Sequence, residues 1–552
     1  MSRRQENFSK LKKEVGAVIR GGGKKFALIY PNVYKVGMSN LGIHIIYELL
    51  NSRTDISCER FFLPENPKLP LLSLETKTPL NKFQVVGFAV SFEQDYFNVV
   101  KILQLAKIKV RAAERTKFDP LIIAGGPCAT FNPEPLSEIF DAFVIGEGEV
   151  ILPKLIDELN DAEKFSREEV LQKISEVPGI YVPKFFEHIY NDDGTIQKII
   201  APKKISRQWL KNLDDFPAHS TIITDDTEFN MYLIETARGC GRHCRFCMAG
   251  YAFRKPRNRS LEVLKAEVLD AVKFNKKIGL MGAAISDYPQ INELCQFILE
   301  KNLPMSVASF RADSVTFELV EALAKSGLKT LTVAPEVGSE KMLRVINKGI
   351  TEENIFSAVE LGLRAGIKNF KLYFMIGLPF EELEDVEEIA NLTIRLKKFA
   401  DDARKITLSV NPFIPKPFTP FQWSKMAEKK YLNSALKILR EKLKSIRGVE
   451  IISESIKSAE VQGILSRGDR KISALVAKSD SPKKFLQLLN DFGVDEDFYL
   501  RRERNLEEVL AWDALDLGFD KKYLREEFNR AAEKKITPPC FDGCKRCGVC
   551  RD

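Results

Sequence analysis

The sequence predicts an α/β protein: an N-terminal doubly wound parallel sheet, a partial (β/α)6 barrel, and a helical C-terminal region ending in a cysteine-rich tail. Three observations predict it. Short apolar runs alternate with helical stretches over the first 150 residues, the pattern of strands buried on both faces. A second alternation with six strand runs begins near residue 231. Seven of the ten cysteines fall in two tight groups, Cys240/Cys244/Cys247 and Cys540/Cys544/Cys547/Cys550.

Residues 1–23 are polar and basic and end in the flexible break Gly21-Gly22-Gly23. A buried strand over 25–30 runs into a loop over 31–40 and a helix over 41–50. Further strands are predicted within 56–63, 85–91, 121–124 and 142–145. Gly125-Gly126-Pro127 and Gly146-Glu147-Gly148-Glu149 stand just past two strand ends. That edge of a parallel sheet is where ligands bind. The first domain is taken as 1–200, with a linker over 201–228 that carries Trp209 and Pro217. Barrel strands are predicted at 232–236, 278–282, 305–310, 330–334, 370–376 and 406–410, with helices between, giving a barrel over 229–423. Its reactive groups belong in the loops after the strands. Residues 424–552 are charged and helix-like, with room for short strands, and close on the second cysteine group.

At 552 residues the chain exceeds one hydrophobic core. Its 44 % hydrophobic content is that of a globular protein. No apolar run reaches the roughly 18–20 residues of a membrane helix, and Met1–Asn7 lacks the core of a secretory signal, so a cytoplasmic location with no membrane contact is expected. The net charge of +8 fits a solvated mixed surface and is compatible with an RNA groove without requiring one. With four histidines, imidazole-based metal sites and acid–base pairs are scarce.

Cys240, Cys244 and Cys247 are spaced C-x3-C-x2-C. Clustered cysteines without a secretion signal read as metal ligands rather than disulfides. Three thiolates on one loop can hold three corners of a cubane iron–sulfur cluster, leaving the fourth iron open for chemistry. The loop starts four residues past the first barrel strand, at the reactive face. A zinc knuckle completed by His243 is the competing reading, but His243 adjoins Cys244 and adjacent side chains diverge. Such a knuckle also does not predict a barrel beginning at its own strand. Isolated Cys58, Cys128 and Cys295 read as small buried residues.

The spacing, the glycines flanking Cys240 and the aromatic Phe246 resemble the signature of radical S-adenosylmethionine (radical SAM) enzymes. Gly377-Leu378-Pro379-Phe380-Glu381 resembles the family's Gly-Leu-Pro segment, which lines the adenine; Gly377 and Pro379 are the implied contacts. The segments 335–339 and 347–351 resemble the surroundings of the fourth barrel strand. Residues 411–417 resemble the sixth-strand exit of members near methylthiotransferases and cobalamin-dependent enzymes. Many members carry Gly-Gly-Glu after the second strand; this chain has Gly282-Ala283-Ala284-Ile285-Ser286-Asp287. The backbone at Gly282 and Ala283, Ser286 or Asp287 are left as candidates for the amino-group contact. Ser309, Arg311 and Glu336 are candidates for the ribose and carboxylate ends, since arginine fits a carboxylate bidentately; an ordinary ion pair or cap is the alternative for each. The resemblance implies a [4Fe-4S] cluster, S-adenosylmethionine and a ferredoxin- or flavodoxin-type reductant.

The N-terminal region resembles the cobalamin-binding domain that precedes many radical SAM barrels. Gly125, Gly126, Pro127 and Gly146 are its implied corrin contacts, the glycines allowing close backbone approach. The D-x-H-x-x-G ligand motif is absent and residues 31–42 hold no histidine, so any cobalamin would be bound without a protein imidazole on cobalt. The layout, including residues 466–470 and the tail, resembles radical SAM proteins that pair this domain with an Elp3/MiaB/NifB-type core. The tail repeats C-x3-C-x2-C and adds a fourth thiol. An auxiliary iron–sulfur cluster and a structural zinc both remain open there, on a tail placed to fold over the barrel mouth. The implied function is a radical SAM transferase, foremost a cobalamin-dependent methylase of an unreactive carbon. The alternatives are an RNA-modifying methylthiotransferase without cobalamin and a non-catalytic iron–sulfur electron-transfer protein. No side chain is singled out for the substrate step.

Overall fold

A computed structural model describes residues 13–66 and 68–550; Met1–Asn7, read above for a signal, lies outside them. The N-terminal sheet comprises β1 (Lys24–Tyr30), β2 (Ile56–Phe62), β3 (Val85–Ala89), β4 (Leu121–Gly125), β5 (Ala142–Val144) and β6 (Ile180–Tyr181). Its order is β2-β1-β3-β4-β5-β6, with β1 to β5 parallel and β6 antiparallel. Helices α1 (Leu41–Asn51), α2 (Tyr96–Leu105) and α3 (Gly148–Glu158) provide crossovers and cover. The order reverses between β1 and β3, which opens a crevice at the carboxyl edge.

Every residue of β2 is buried, including Glu59 and Arg60. Buried charges persist only when paired. Arg60 meets Glu75 and Glu14, each at 2.7 Å, and the Thr76 hydroxyl donates to Glu59 at 2.7 Å. Glu14 belongs to the polar leader, and Val15 pairs with Ile223. The leader from residue 13 is therefore strapped to the sheet, although Gly21-Gly22-Gly23 reads as a loose break. The expected linker is likewise stitched down. Ile205–Ser206 pairs in parallel with Leu515–Asp516, and Gln208 bridges to Gly146.

The second sheet comprises β7 (Met231–Glu235), β8 (Lys277–Met281), β9 (Met305–Ser306), β10 (Thr330–Glu336), β11 (Asn369–Ile376), β12 (Lys405–Pro412) and β13 (Val449–Ser453). All neighbouring pairs are parallel, and a bridge between Phe310 and Val333 joins the three-stranded and four-stranded parts. The expected third strand is thus reduced to Met305–Ser306 plus the Phe310 bridge. The curl also runs one strand past residue 423, to β13. That strand, Val-Glu-Ile-Ile-Ser, is largely exposed at a sheet edge. Edge strands carry polar residues, so its apolar signal is weak.

Helices α4 (Leu261–Val272), α5 (Ile291–Glu300), α6 (Phe317–Lys325), α7 (Glu352–Arg364) and α8 (Leu383–Phe399) alternate with these strands. Burial alternates along β10 and β11. Phe370 and Leu331 face α7, where a Cβ on Gly362 would lie 2.7 and 3.1 Å from them. Lys371, Tyr373 and Met375 therefore face the lumen, where they stay partly exposed. An incomplete barrel with an open lumen has room for a substrate.

The C-terminal helices α9 (Lys429–Leu443), α10 (Ile456–Arg467) and α11 (Lys521–Ala532) bind the two sheets together. Gln462 on α10 donates to Glu93 at 2.8 Å. Asn132 donates to the carbonyls of Ser466 and Gly468, and Arg470 pairs with Glu134 at 2.8 Å. The 466–470 segment is thus a clasp against the N-terminal domain. Among the described residues no helix is long and apolar enough to cross a membrane.

Candidate cofactor sites

The mid-chain thiol loop follows β7 at the carboxyl edge of the curled sheet. Cys240 and Cys247 are partly buried, and Cys244 is buried. Burial raises the Cys240 thiol and pushes that of Cys247 up to about 12; Cys244 adds to both. The three sulfurs are therefore close enough to act on one another. Binding iron would need all three deprotonated, so metal uptake would release protons.

Cations surround them. Arg311 Nη1 reaches Cys244 Sγ at 3.7 Å. The same guanidinium is held by Asp313 at 3.0 Å and donates to the Lys348 carbonyl at 2.6 Å. Lys348 is buried and paired with Glu336 at 2.9 Å. Burial opposes the charge on Lys348, but Glu336 and Cys244 outweigh it and hold its pKa above the usual value. Arg242 donates its backbone N–H to Cys240 Sγ at 3.4 Å and clamps Asp287 with two bonds of 2.9 Å. It also reaches Asp313 at 3.1 Å. This donor set suits a cluster with three thiolate ligands, whose negative charge these cations offset.

Each candidate in the barrel lies past a strand end. Gly282, Ala283 and Ser286 follow β8, Ser309 and Arg311 follow β9, Glu336 ends β10, and Gly377 and Pro379 follow β11. Arg311, Glu336, Cys244 and Asp287 join one ionic network. Ser286 instead bonds Ser314 at 2.7 Å, and Ser309 is exposed. Glu381 accepts from the Gly377 N–H at 2.6 Å and from Tyr431 at 3.0 Å. Burial pushes its carboxyl up to about 7 against those donors. Lys348, Arg242 and Asp313 were given no role on sequence grounds. Lys and Arg abound in this chain, and only the fold marks these as buried beside sulfur.

The N-terminal crevice is a cavity of about 310 Å³. Phe26, Ile45, Ile123 and Val144 make an apolar groove along the sheet, and Gly125, Gly126, Pro127 and Gly146 lie at its carboxyl end. Its mouth is shared with the barrel through Glu235, Arg238 and Phe253. Two of the glycines have local reasons to be glycine. Gly126 has φ +98 and a Cβ there would sit 2.8 Å from the Val90 carbonyl oxygen. Gly146 has φ +125 and its Cβ would sit 2.0 Å from that of Gln208. Gly125 is different: an added Cβ would meet only Val144, at 3.6 Å. His44 has both ring nitrogens engaged, with the Met38 carbonyl at 3.1 Å and the Ile222 N–H at 3.3 Å. It is fully buried rather than partly so. The groove fits a slim, largely apolar moiety, with no imidazole presented to a metal.

His243 turns from its own loop toward the tail. Its Nε2 lies 3.4 Å from Cys540 Sγ and its Nδ1 2.9 Å from Arg254. That orientation removes it as a fourth ligand beside Cys244. Among the described residues no three His, Cys, Asp or Glu side chains draw together around a single ion position.

With this geometry in view, comparisons with known proteins are informative. Residues 42–183 match the family of radical SAM proteins described as N-terminal, and residues 234–393 match the radical SAM superfamily. The uncharacterized protein MJ0966 of Methanocaldococcus jannaschii is 32% identical over 472 residues, which span 84% of this chain and 94% of the relative. Among solved structures, the radical S-adenosylmethionine methyltransferase TsrM from Kitasatospora setae, with cobalamin and a [4Fe-4S] cluster bound, superposes with a TM-score of 0.51 at 12% identity. That match covers 85% of this chain and 100% of TsrM. The cobalamin-dependent S-adenosylmethionine radical enzyme OxsB with aqua-cobalamin bound gives 0.50 at 15%, covering 93% and 80%. At such identities the likeness is one of fold. The two family matches, the near full-length relative and the thiol loop at the barrel's carboxyl edge agree: this chain is an enzyme of the radical SAM superfamily.

Proposed function

We propose that the chain is a cobalamin-dependent radical SAM methylase acting on an unreactive carbon. Cys240, Cys244 and Cys247 would hold the [4Fe-4S] cluster, and the cations around them would balance its charge. Gly282 and Ala283 offer backbone to the amino end of S-adenosylmethionine, and Gly377 with Pro379 lines its adenine. Arg311 is already committed to Asp313, so a cosubstrate carboxylate would compete with Asp313 for the guanidinium.

The observation that carries the cobalamin reading is the shared mouth. The groove at the switch point of the first sheet opens against β7 and the segment leading into Cys240. When bound, the cofactors supply a carbon-centred radical and a transferable methyl group, chemistry the protein itself lacks. The residues of this chain place both sites side by side, keep the groove apolar and exclude water from it. Gly125 and the wall of Ile45, Ile123 and Val144 would receive the corrin's slimmer parts. The absence of an imidazole in the groove leaves the lower face of cobalt free of a protein ligand. The TsrM and OxsB folds, which pair these two cofactors, support the same pairing here.

Anaerobic reconstitution tests it. Iron, corrin, 5'-deoxyadenosine and S-adenosylhomocysteine are measured after incubation with a reductant. Retained corrin together with S-adenosylhomocysteine is the expected result. Cosubstrate cleavage by corrin-free protein would discard the cobalamin half and leave the radical half standing.

A further inference from the structure

The four tail thiols sit directly behind the Cys240 loop. The Cys540 N–H donates to the Gly241 carbonyl at 2.8 Å, so one hydrogen bond separates a tail cysteine from the residue beside Cys240. The contact is held by a buried polar lattice. Asn347 donates to the carbonyls of His243 and Thr537 and accepts from the Thr537 N–H at 2.8 Å. Arg245 joins Glu527 on α11, the Val345 carbonyl and the Lys535 carbonyl. The Asp520 N–H holds the Cys547 carbonyl at 3.0 Å. So many buried hydrogen bonds fix the tail's position rather than merely tether it.

The thiols themselves converge. Cys540 lies close enough to Cys544 and Cys547, and Cys550 to Cys547 and Cys544, for their charges to interact. Arg254, Lys255 and Arg546 supply positive charge around them. A tetrahedral zinc would need sulfurs about 2.3 Å from one ion. Neither this set nor the Cys240 set draws three ligands around such a point. Beside the thiols, Phe541 is 66% exposed, and Lys255, Lys534, Lys535 and Lys545 are exposed on the same end of the chain.

We propose that Cys540, Cys544, Cys547 and Cys550 bind a second iron–sulfur cluster that takes single electrons from an acidic protein carrier and relays them to the cluster of the Cys240 loop. The proposal rests on the reading that the Cys240 loop carries a cluster. A one-electron carrier of the ferredoxin or flavodoxin class is oxidised as the tail cluster is reduced by one electron. That electron then reduces the second cluster and restores the first, with no bond made or broken and no proton required. The route runs from Cys540 through its N–H and the Gly241 carbonyl to Cys240. The lysines around Phe541 give an acidic carrier a docking face and steer its approach.

The test uses the full chain reconstituted anaerobically, beside a Cys544→Ser/Cys547→Ser variant and a Lys534→Glu/Lys545→Glu variant. Wild type is expected to hold about eight iron atoms, and the thiol variant about four fewer. Reduced wild type should show two magnetically interacting spins by electron paramagnetic resonance, and the thiol variant one. Reduction by titanium(III) citrate should stay unchanged in both variants, while reduction by ferredoxin slows roughly tenfold or more. The charge-reversed variant should keep both clusters, so it remains decisive if the thiol variant misfolds. Zinc in place of tail iron, or equal ferredoxin rates in all three proteins, overturns the relay. A wild-type signal that does not respond to S-adenosylmethionine instead counts against the Cys240 reading itself.

Discussion

Arg238 Nη2 donates to Glu149 at 2.8 Å and thereby ties the carboxyl edge of the N-terminal sheet to the segment that leads into Cys240. The same side chain meets Glu147 and Glu235 at 3.0 Å each. Two candidate cofactor sites thus share one buried guanidinium.

Arg238→Ala should leave three buried carboxylates facing one another. Removing one partner of such a network costs about 3–5 kcal/mol. Chemical unfolding is expected to show that loss, with reduced corrin retention and iron content; Arg238→Lys should recover part of it. Wild-type values throughout would mean that the two sites are not coupled through this residue.

Gly125 and Gly146 should respond differently to alanine. At Gly146 the backbone is left-handed and the Cβ overlaps the Gln208 carbonyl, so roughly 2–3 kcal/mol of stability is expected to go. At Gly125 the Cβ meets only Val144, so thermal stability should hold while corrin retention falls. Equal corrin retention in Gly125→Ala and wild type would take Gly125 off the cofactor surface.

Cys244→Ala should remove about four iron atoms per chain and all formation of 5'-deoxyadenosine. Because Cys244 also feeds the charge balance of Arg311 and Lys348, apo wild type and apo variant should unfold at different denaturant midpoints. Iron analysis and denaturant titration check the two halves independently.

Glu381 predicts a pH dependence. Its carboxyl has an ordinary value of 4.5 and is raised to about 7 in the fold, chiefly by burial. Between those values the folded chain holds a proton that the unfolded chain has released, so stability falls as pH rises through this window. The gap corresponds to at most roughly 3 kcal/mol, reduced by screening because the residue is only partly buried by area. Glu381→Gln should flatten the profile from pH 5 to 8 and raise the thermal midpoint at pH 8. Parallel profiles for the two proteins would refute the assignment.

What could be read beforehand followed from local physics. Apolar runs such as Phe26–Tyr30 are legible because a parallel strand is buried on both faces. The C-x3-C-x2-C spacing is legible because ligands on one short loop are adjacent in sequence. β13 was not legible, since an exposed edge strand need not be apolar. The buried Arg60 with Glu14 and Glu75 was not legible either, since its partners lie 46 and 15 residues away.

By itself the sequence determined the strand-and-helix alternation, the two thiol groups and the membership that their spacing implies. These depend on periodicity and short-range spacing, which survive without a fold. Only the tertiary structure decided that the tail cysteines lie behind the Cys240 loop, that Lys348 is buried beside sulfur, and that the sheet crevice opens onto the barrel. Those are contacts between distant segments, and burial and charge pairing acquire meaning only once the chain has closed on itself.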